Sequence, residues 1–549
     1  MIDPISAVVD RFILPVQNIT GFSKDISKTF VSYLFAFCFA YLWPKLPYGF
    51  SRRAFSLVVG LFLLLMTYGL YASFTFFGMI IPSYILISHG IGQKKPLIIF
   101  GFTMVYLLAV FAYYYRTAYG IWQMDITSPL MIAVQKCTSL AWNLFDGKKQ
   151  TDALLANNGI KPTKPVLRTS HQRRVALNEC PSLFGFVSWM MFPISLSVGP
   201  ATEYAMFESS IEIKEAPLRS RYKLFWKQLV LGAIFMVYFV HPVDVGFVFD
   251  KEFISQPFWR RVLKLHICMS WTRLRYYSAW CLTNAAMILA GAGFDGNSWE
   301  NAMNVFVFRL EFARRPKAFI ANWNCGTQRF LKYYIYVRGP TDPKTGLVHP
   351  FMQYVTFIVS GIWHGWYAGY LLHFTILFLI NVIDRLYFAL FPIKYEERPA
   401  LYGYEETQRE LREIENKNIK EKHTTEKKDE KLESNSMKQK QTSSMSDDKK
   451  PVVGNSTTTC SSDENIKTDL LRTVFEWVVT QVLFNYAAIV MAALVWPTIV
   501  QANKVINWWG LKTIVALIVI LQLMTIFKKK PSKTSSKKDD SSFPISSPQ

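Results

Sequence analysis

The stretch SGIWHGWYAGYLLHF, residues 360–374, sets His364 within a run of apolar and aromatic residues. An ionisable side chain in such a membrane-like run is costly and marks a functional site by default. Histidine is the cheapest choice, because its imidazole can stay neutral. Gly361, Gly365 and Gly369 recur every fourth residue, a spacing that gathers them on one helical face. Small residues there let a second helix or an acyl chain come close. Trp363 and Trp366 add apolar walls and an N–H donor each. A neutral imidazole in that setting could take a proton from an alcohol, which is general-base chemistry. The plainer reading is a bundle histidine hydrogen-bonded to a neighbouring helix. His373 follows nine residues later, about 900° around a helix. It is expected on the opposite face, and no histidine pair is read.

A second stretch, ANWNCGTQRFLKYYIYVR (321–338), mixes Asn322, Asn324, Thr327, Gln328 and Lys332 with Trp323, Phe330 and several tyrosines. An amide facing a buried site can hold a substrate hydroxyl or a developing oxyanion. The same pattern also suits an interfacial aromatic belt. Glu203 and Asp146 lie on or near apolar segments and read as partners of a base that fixes helix packing. None of the seven cysteines forms a CxxC pair, and the eight histidines show no HxxxH or HExxH spacing. No disulfide framework or metal site is readable, so a metal-free mechanism is expected.

The elements that must position these residues are membrane helices. The chain is 51% hydrophobic and 16% aromatic but only 18% charged, against about 25% charged in soluble domains. Long apolar runs lie near 29–47, 54–72, 73–91, 96–118, 183–206, 228–249, 272–294, 351–372, 373–393, 471–496 and 506–527. A helix needs about 20 apolar residues to cross a bilayer, and these runs predict about eleven spans. They are too long, and lack the alternation, for barrel strands. The expected fold is an all-α, polytopic transmembrane helical bundle. Residues 119–160 read as a helix lying at the interface or packed inside the bundle. Residues 161–178 read as a basic loop, and 300–338 are not a simple span.

Net charge is +22, from 61 Lys+Arg against 39 Asp+Glu. The bases flank apolar runs, as the positive-inside bias requires, so a nucleic-acid partner is not expected. Residues 401–470 are rich in Lys, Glu, Ser and Asp. Such composition buries too little surface to offset ordering entropy and reads as a disordered insert. The Lys/Ser-rich tail 528–549 reads the same way. Two spans, within 471–527, separate insert from tail, so both face one side, and the lysines after Phe527 make that side cytosolic. Residues 1–400 are then the membrane-embedded core. The start, MIDPISAVVDRFILPVQNIT, lacks a basic stretch followed by an apolar one, so the first span is expected to serve as the insertion signal.

WNCGTQRFLK followed by SGIWHGWYAGY resembles the paired signature of the membrane-bound O-acyltransferase family. The likeness is to its lysophospholipid acyltransferase branch, which includes broad-specificity fungal members. DITSPLMIAVQKCTSLAWNLFDG, CPSLFGFVSWMMFPISLSVGPATEYAMFESSI and RLRYYSAWCLTNAAMILAGAGFDG resemble further blocks of that branch. The five blocks fall in order over about residues 110–380. The resemblance implies that His364 is catalytic, that Asn324 is its partner, and that the bundle encloses a central reaction chamber. It implies acyl transfer from acyl-CoA to the free hydroxyl of a lysophospholipid in the bilayer, with no bound cofactor or metal. Trp323, Thr327 and Trp363 are then candidate substrate contacts. Lys332, Arg338, Arg273 and Arg275 are candidate contacts to the CoA phosphates, each with interfacial snorkelling as the alternative. The chain departs from the branch at Phe330 (usually Trp), Gly361 (Ala) and Ala368 (Pro). An acyl-CoA-using lipid enzyme of this kind is expected in the endoplasmic reticulum membrane. Two other readings stay open: a family member acylating a sterol, a diacylglycerol or a protein, and a transporter.

Overall fold

A computed structural model describes residues 4–529 apart from 91, 93, 122–124, 158–165, 197, 213–217, 295–297, 344–345 and 393–461. Most of the charged insert and of the tail therefore lies outside the described residues. Among the described residues the elements are all helices, with one isolated bridge between Thr341 and Val348. The all-α expectation holds.

The first five helices are α1 (Pro4–Thr20), α2 (Lys24–Leu42), α3 (Phe50–Tyr68), α4 (Leu70–Ser88) and α5 (Lys95–Thr117). Helix α1 buries Ile13 and exposes Val8, Phe12 and Ile19, an amphipathic pattern suited to lying along a membrane surface. Behind this layer runs α6 (Thr127–Ala156), 30 residues long. It buries nearly its whole circumference from Leu130 to Leu144, including Gln135, Lys136 and Asn143. Of the two readings open for this segment, the structure takes the one inside the bundle.

After the short α7 (Ser170–Val175), the apolar run 183–206 does not form one span. It divides into α8 (Leu183–Met190), a single 3₁₀ turn at Pro193–Ser195, and the start of α9 (Tyr204–Glu212). Pro193 and Pro200 remove N–H donors, so a continuous helix is not available there. Helix α10 (Leu218–Phe235) packs along α13 (Phe258–Leu289), with the short α11 (Val237–Val240) and α12 (Lys251–Ser255) between them. Ser278 ties the pair by donating to the Gly232 carbonyl at 3.0 Å.

Helices α14 (Val307–Glu311), α15 (Pro316–Ala321) and α16 (Cys325–Phe330) are short. The last runs directly into a π-helical turn, Leu331–Tyr336, a rare form that often sits at functional sites. Then come α17 (Phe351–Trp363), α18 (Ala368–Leu390), α19 (Ser462–Ala493), α20 (Trp496–Lys504) and α21 (Trp509–Lys529).

Among the described residues, eight stretches are long and apolar enough to cross a membrane: in α2 to α5, α10–α11, α18, α19 and α21. The sequence predicted about eleven. The differences are the broken 183–206 run, the 272–294 run, which is the second half of the long α13, and α17, which stops after 13 residues.

Buried apolar side chains form two large cores. One gathers α2 to α6, α8 and α9 with the inner end of α13. The other gathers α13 to α15 with α18 to α21. Met303 belongs to the first and Val305 to the second, so their boundary crosses the loop just before α14.

Candidate active site

Helix α17 ends at Trp363, and His364 is its C-cap. The amide of His364 still bonds back to the Gly361 carbonyl at 3.2 Å. Gly365 then turns the chain with φ +109°, a conformation that L side chains avoid. A Cβ at Gly365 would also come within 3.0 Å of the Phe111 ring. The chain restarts as α18 at Ala368.

This break corrects the expectation of a glycine stripe on one helix. Gly361 lies in α17, Gly365 in the turn and Gly369 in α18, and each meets a different neighbour. A Cβ at Gly361 would meet Leu371 at 3.3 Å, and one at Gly369 would meet the Val490 carbonyl at 2.8 Å. The helical-wheel argument about His373 fails for the same reason, since no single helix carries both histidines. His373 donates from Nδ1 to the Ala487 carbonyl at 2.9 Å, while its neighbour Phe374 stacks on His364 at 5.2 Å.

Three side chains pin the turn. Trp363 Nε1 donates to the Met131 carbonyl of α6 at 3.1 Å, and Trp366 Nε1 to the Leu108 carbonyl of α5 at 2.8 Å. The Tyr367 hydroxyl accepts the Gly120 amide at 2.8 Å. The His364 ring packs among Trp363 at 4.9 Å, Tyr370 at 5.4 Å and Phe374. It is half-buried, and neither ring nitrogen has a hydrogen-bond partner among the described residues. A held imidazole with a free lone pair can accept a proton from a bound hydroxyl.

Asn324 is the N-cap of α16, with φ 46° and ψ 56°. Its carbonyl accepts the Gln328 amide at 2.9 Å, but its side chain makes no capping bond. The adjacent Trp323 sits against Trp280 at 4.9 Å and Tyr276 at 5.4 Å. Thr327 is buried and accepts a bond from Gln135 Nε2 at 3.1 Å.

Helix α6 therefore joins the two motif segments. Met131 anchors the Trp363 end and Gln135 the Thr327 end. These positions are four residues apart, about 6 Å along the axis. An aromatic wall joins them on the other side. Tyr370, beside His364, is in electrostatic reach of Arg275 and Tyr276, and Tyr276 meets Trp323.

The candidate phosphate contacts fare differently. Arg273 is buried and held by both oxygens of Glu311, at 3.0 and 2.8 Å. Arg338 makes a two-pronged bond to Asp146, at 2.7 and 2.6 Å, and covers the Trp142 ring at 4.2 Å. Arg275 donates to the Tyr276 hydroxyl at 2.8 Å, and Lys332 lies over the Tyr333 ring at 4.8 Å. Two of the four guanidinium or ammonium groups are thus tied to carboxylates. Asp146 has the packing role that the sequence suggested.

Sequence reasoning passed over a cavity of about 570 Å³, lined in part by Gln135, Lys136, His171, Arg174, Glu203 and Arg329. Glu203 accepts from Asn143 Nδ2 at 3.0 Å, and the Tyr334 hydroxyl lies 2.8 Å from its other oxygen. His171 stacks on Tyr333 at 3.9 Å, with Nε2 3.6 Å from Glu203. Burial pushes the His171 pKa below the ordinary imidazole value, against the pull of that carboxylate. The only sequence signal was the basic loop 161–178, which did not single out its histidine.

Residues 111–400, which carry both motif segments and all of α6, match the family model of MBOAT, the membrane-bound O-acyltransferase family. The chain belongs to the membrane-bound O-acyltransferase family. It is an O-acyltransferase built as a multi-pass membrane protein. It is 28% identical to the lysophospholipid acyltransferase of Schizosaccharomyces pombe, over 67% of this chain and 73% of that one. It is 30% identical to lysophospholipid acyltransferase 6 of Drosophila melanogaster, over 67% of this chain and 51% of the relative. It is 28% identical to membrane-bound glycerophospholipid O-acyltransferase 2 of Homo sapiens, over 68% and 73% respectively. Helices α19 to α21 lie beyond the family match, yet α19 supplies the carbonyl that holds His373.

Proposed function

We propose that this acyltransferase moves a fatty acyl chain from acyl-CoA to the free hydroxyl of a lysophospholipid, with His364 as general base and Asn324 as its partner. The observation that supports the reading is that the segments bearing these two polar residues are pinned to neighbouring turns of α6, with the Asn324 side chain making no cap bond. His364 takes the hydroxyl proton as the oxygen attacks the thioester carbonyl carbon. The tetrahedral oxyanion collapses, the C–S bond breaks, and the CoA thiolate takes the proton back from the imidazolium. Ester and free CoA thiol leave, and His364 is again neutral. The Asn324 carboxamide holds the hydroxyl or the oxyanion.

The names of the relatives support a lysophospholipid acceptor. The cationic lining of the cavity suits an anionic donor such as CoA. Trp323, Thr327 and Trp363 act through packing and anchoring beside the reacting groups. Residues 1–400 form the acyltransferase core in the endoplasmic reticulum membrane, and the insert and tail face the cytosol.

The test is transfer from labelled oleoyl-CoA, in detergent, to a panel of lysophospholipids, diacylglycerol and ergosterol, with wild type beside His364→Ala. Label should enter a phospholipid with wild type, and the variant should be slower by about 10²–10⁴-fold. Label entering only a neutral lipid would discard the lysophospholipid reading. Near-normal rates in His364→Ala would remove the general base.

A further inference from the structure

Asparagine is among the best N-cap residues, because its side chain folds back onto the first free amides of the helix. Asn324 occupies the N-cap of α16 and does not do this. The Gly326 amide, which it could satisfy, is taken by another asparagine, 20 positions earlier. Asn304 accepts the Cys325 amide through its backbone carbonyl at 2.8 Å and the Gly326 amide through Oδ1 at 2.9 Å. It is 1% exposed. Its own amide donates to Asn284 Oδ1 at 2.8 Å, and Asn284 Nδ2 donates to Gln228 Oε1 at 3.2 Å. Asn284 and Gln228 are buried as well. A ladder from α10 through α13 therefore fixes Asn304, and Asn304 fixes the start of α16. The fit leaves no slack, since a Cβ at Gly326 would lie 3.1 Å from Asn304 Oδ1 and 3.0 Å from the Ala201 amide nitrogen.

We infer that Asn304 is a positioning residue for acyl transfer: it caps α16 from outside and so leaves the Asn324 carboxamide free to face the substrates. The inference rests on the proposed role of Asn324. Without the Asn304 side chain, the Gly326 amide of α16 is left unpaired within reach of the Asn324 side chain, which turns to cap it, while the Asn304 backbone carbonyl still holds the Cys325 amide. Asn304→Asp keeps an acceptor oxygen at the same place, next to a helix start that favours negative charge.

The experiment compares kcat and KM for oleoyl-CoA in wild type, Asn304→Ala, Asn304→Asp, Asn324→Ala and the double alanine variant. Each is purified in detergent and checked for monodispersity. Asn304→Ala should lower kcat by about tenfold or more with KM changed less than about twofold, and Asn304→Asp should recover most of the loss. In the Asn324→Ala background, Asn304→Ala should have no further effect. If Asn304→Ala does not accumulate, Asn304→Ser takes its place, as its hydroxyl is too short to reach the Gly326 amide. Wild-type kcat in the folded Asn304 variants would overturn the inference. So would an equal loss in both backgrounds, which would mark a merely structural role. Wild-type rates in Asn324→Ala would instead overturn the reading of Asn324.

Discussion

At the residue scale, the chemistry rests on which polar groups are already taken. His364 stands out in the sequence as an ionisable residue among aromatic and small neighbours, whereas Asn324 is one of several polar residues in its stretch and is singled out only by the family resemblance. Arg273 and Arg338 are not legible in the same way. Their carboxylate partners, Glu311 and Asp146, lie 38 and 192 residues away, and no local pattern announces such a pairing. Asn304 is hidden for a similar reason, since a cap supplied from another segment has no local signature. His171 yields a prediction. Its pKa is depressed in the folded protein by burial, so the unfolded chain binds a proton first as pH falls below about 6.5. Stability then rises with pH through that window, and is lost as pH falls toward the folded-state pKa. His171→Gln should show a smaller fall in melting temperature between pH 7.5 and 5.5 than wild type. An identical fall would mean that His171 does not carry the linkage.

At the element scale, periodicity located the helices but not their breaks. A run of apolar residues looks the same whether or not a turn interrupts it. The turn at 364–367 depends on a positive-φ glycine and on anchors from α5 and α6, which are tertiary facts. Gly369 shows how closely α18 is gripped by α19. Its amide donates to the Leu494 carbonyl at 3.0 Å, and Leu494 itself has φ 55°. A Cβ at Gly369 would lie 2.9 Å from the Leu494 Cα. Gly369→Ala should therefore cost about 1–3 kcal/mol by overpacking. Gly101→Ala, whose Cβ meets nothing within 4 Å, should carry no such penalty. Thermal unfolding of the two variants in one detergent checks this, and equal stability would refute the tight α18–α19 contact.

At the scale of the whole molecule, the all-α membrane bundle was legible from composition and run length alone. The division into two cores was not, because alternation and hydropathy do not say which buried faces meet. The site sits along that division: Trp363 belongs to the first core, while Ile376 on the following helix belongs to the second. The charged insert follows α18, and most of it lies outside the described residues. Its composition predicts that acyl transfer does not depend on it. Removing residues 405–460 should leave acyl transfer in isolated membranes within about twofold of wild type. A well-folded but inactive deletion would overturn that view.

Helix α6 touches one motif segment through Met131 and the other through Gln135. That interval acts as a ruler. One added residue between the two positions would turn them about 100° out of phase, so that only one segment could stay docked. Side chains in this stretch can change without undocking either segment, whereas its length cannot.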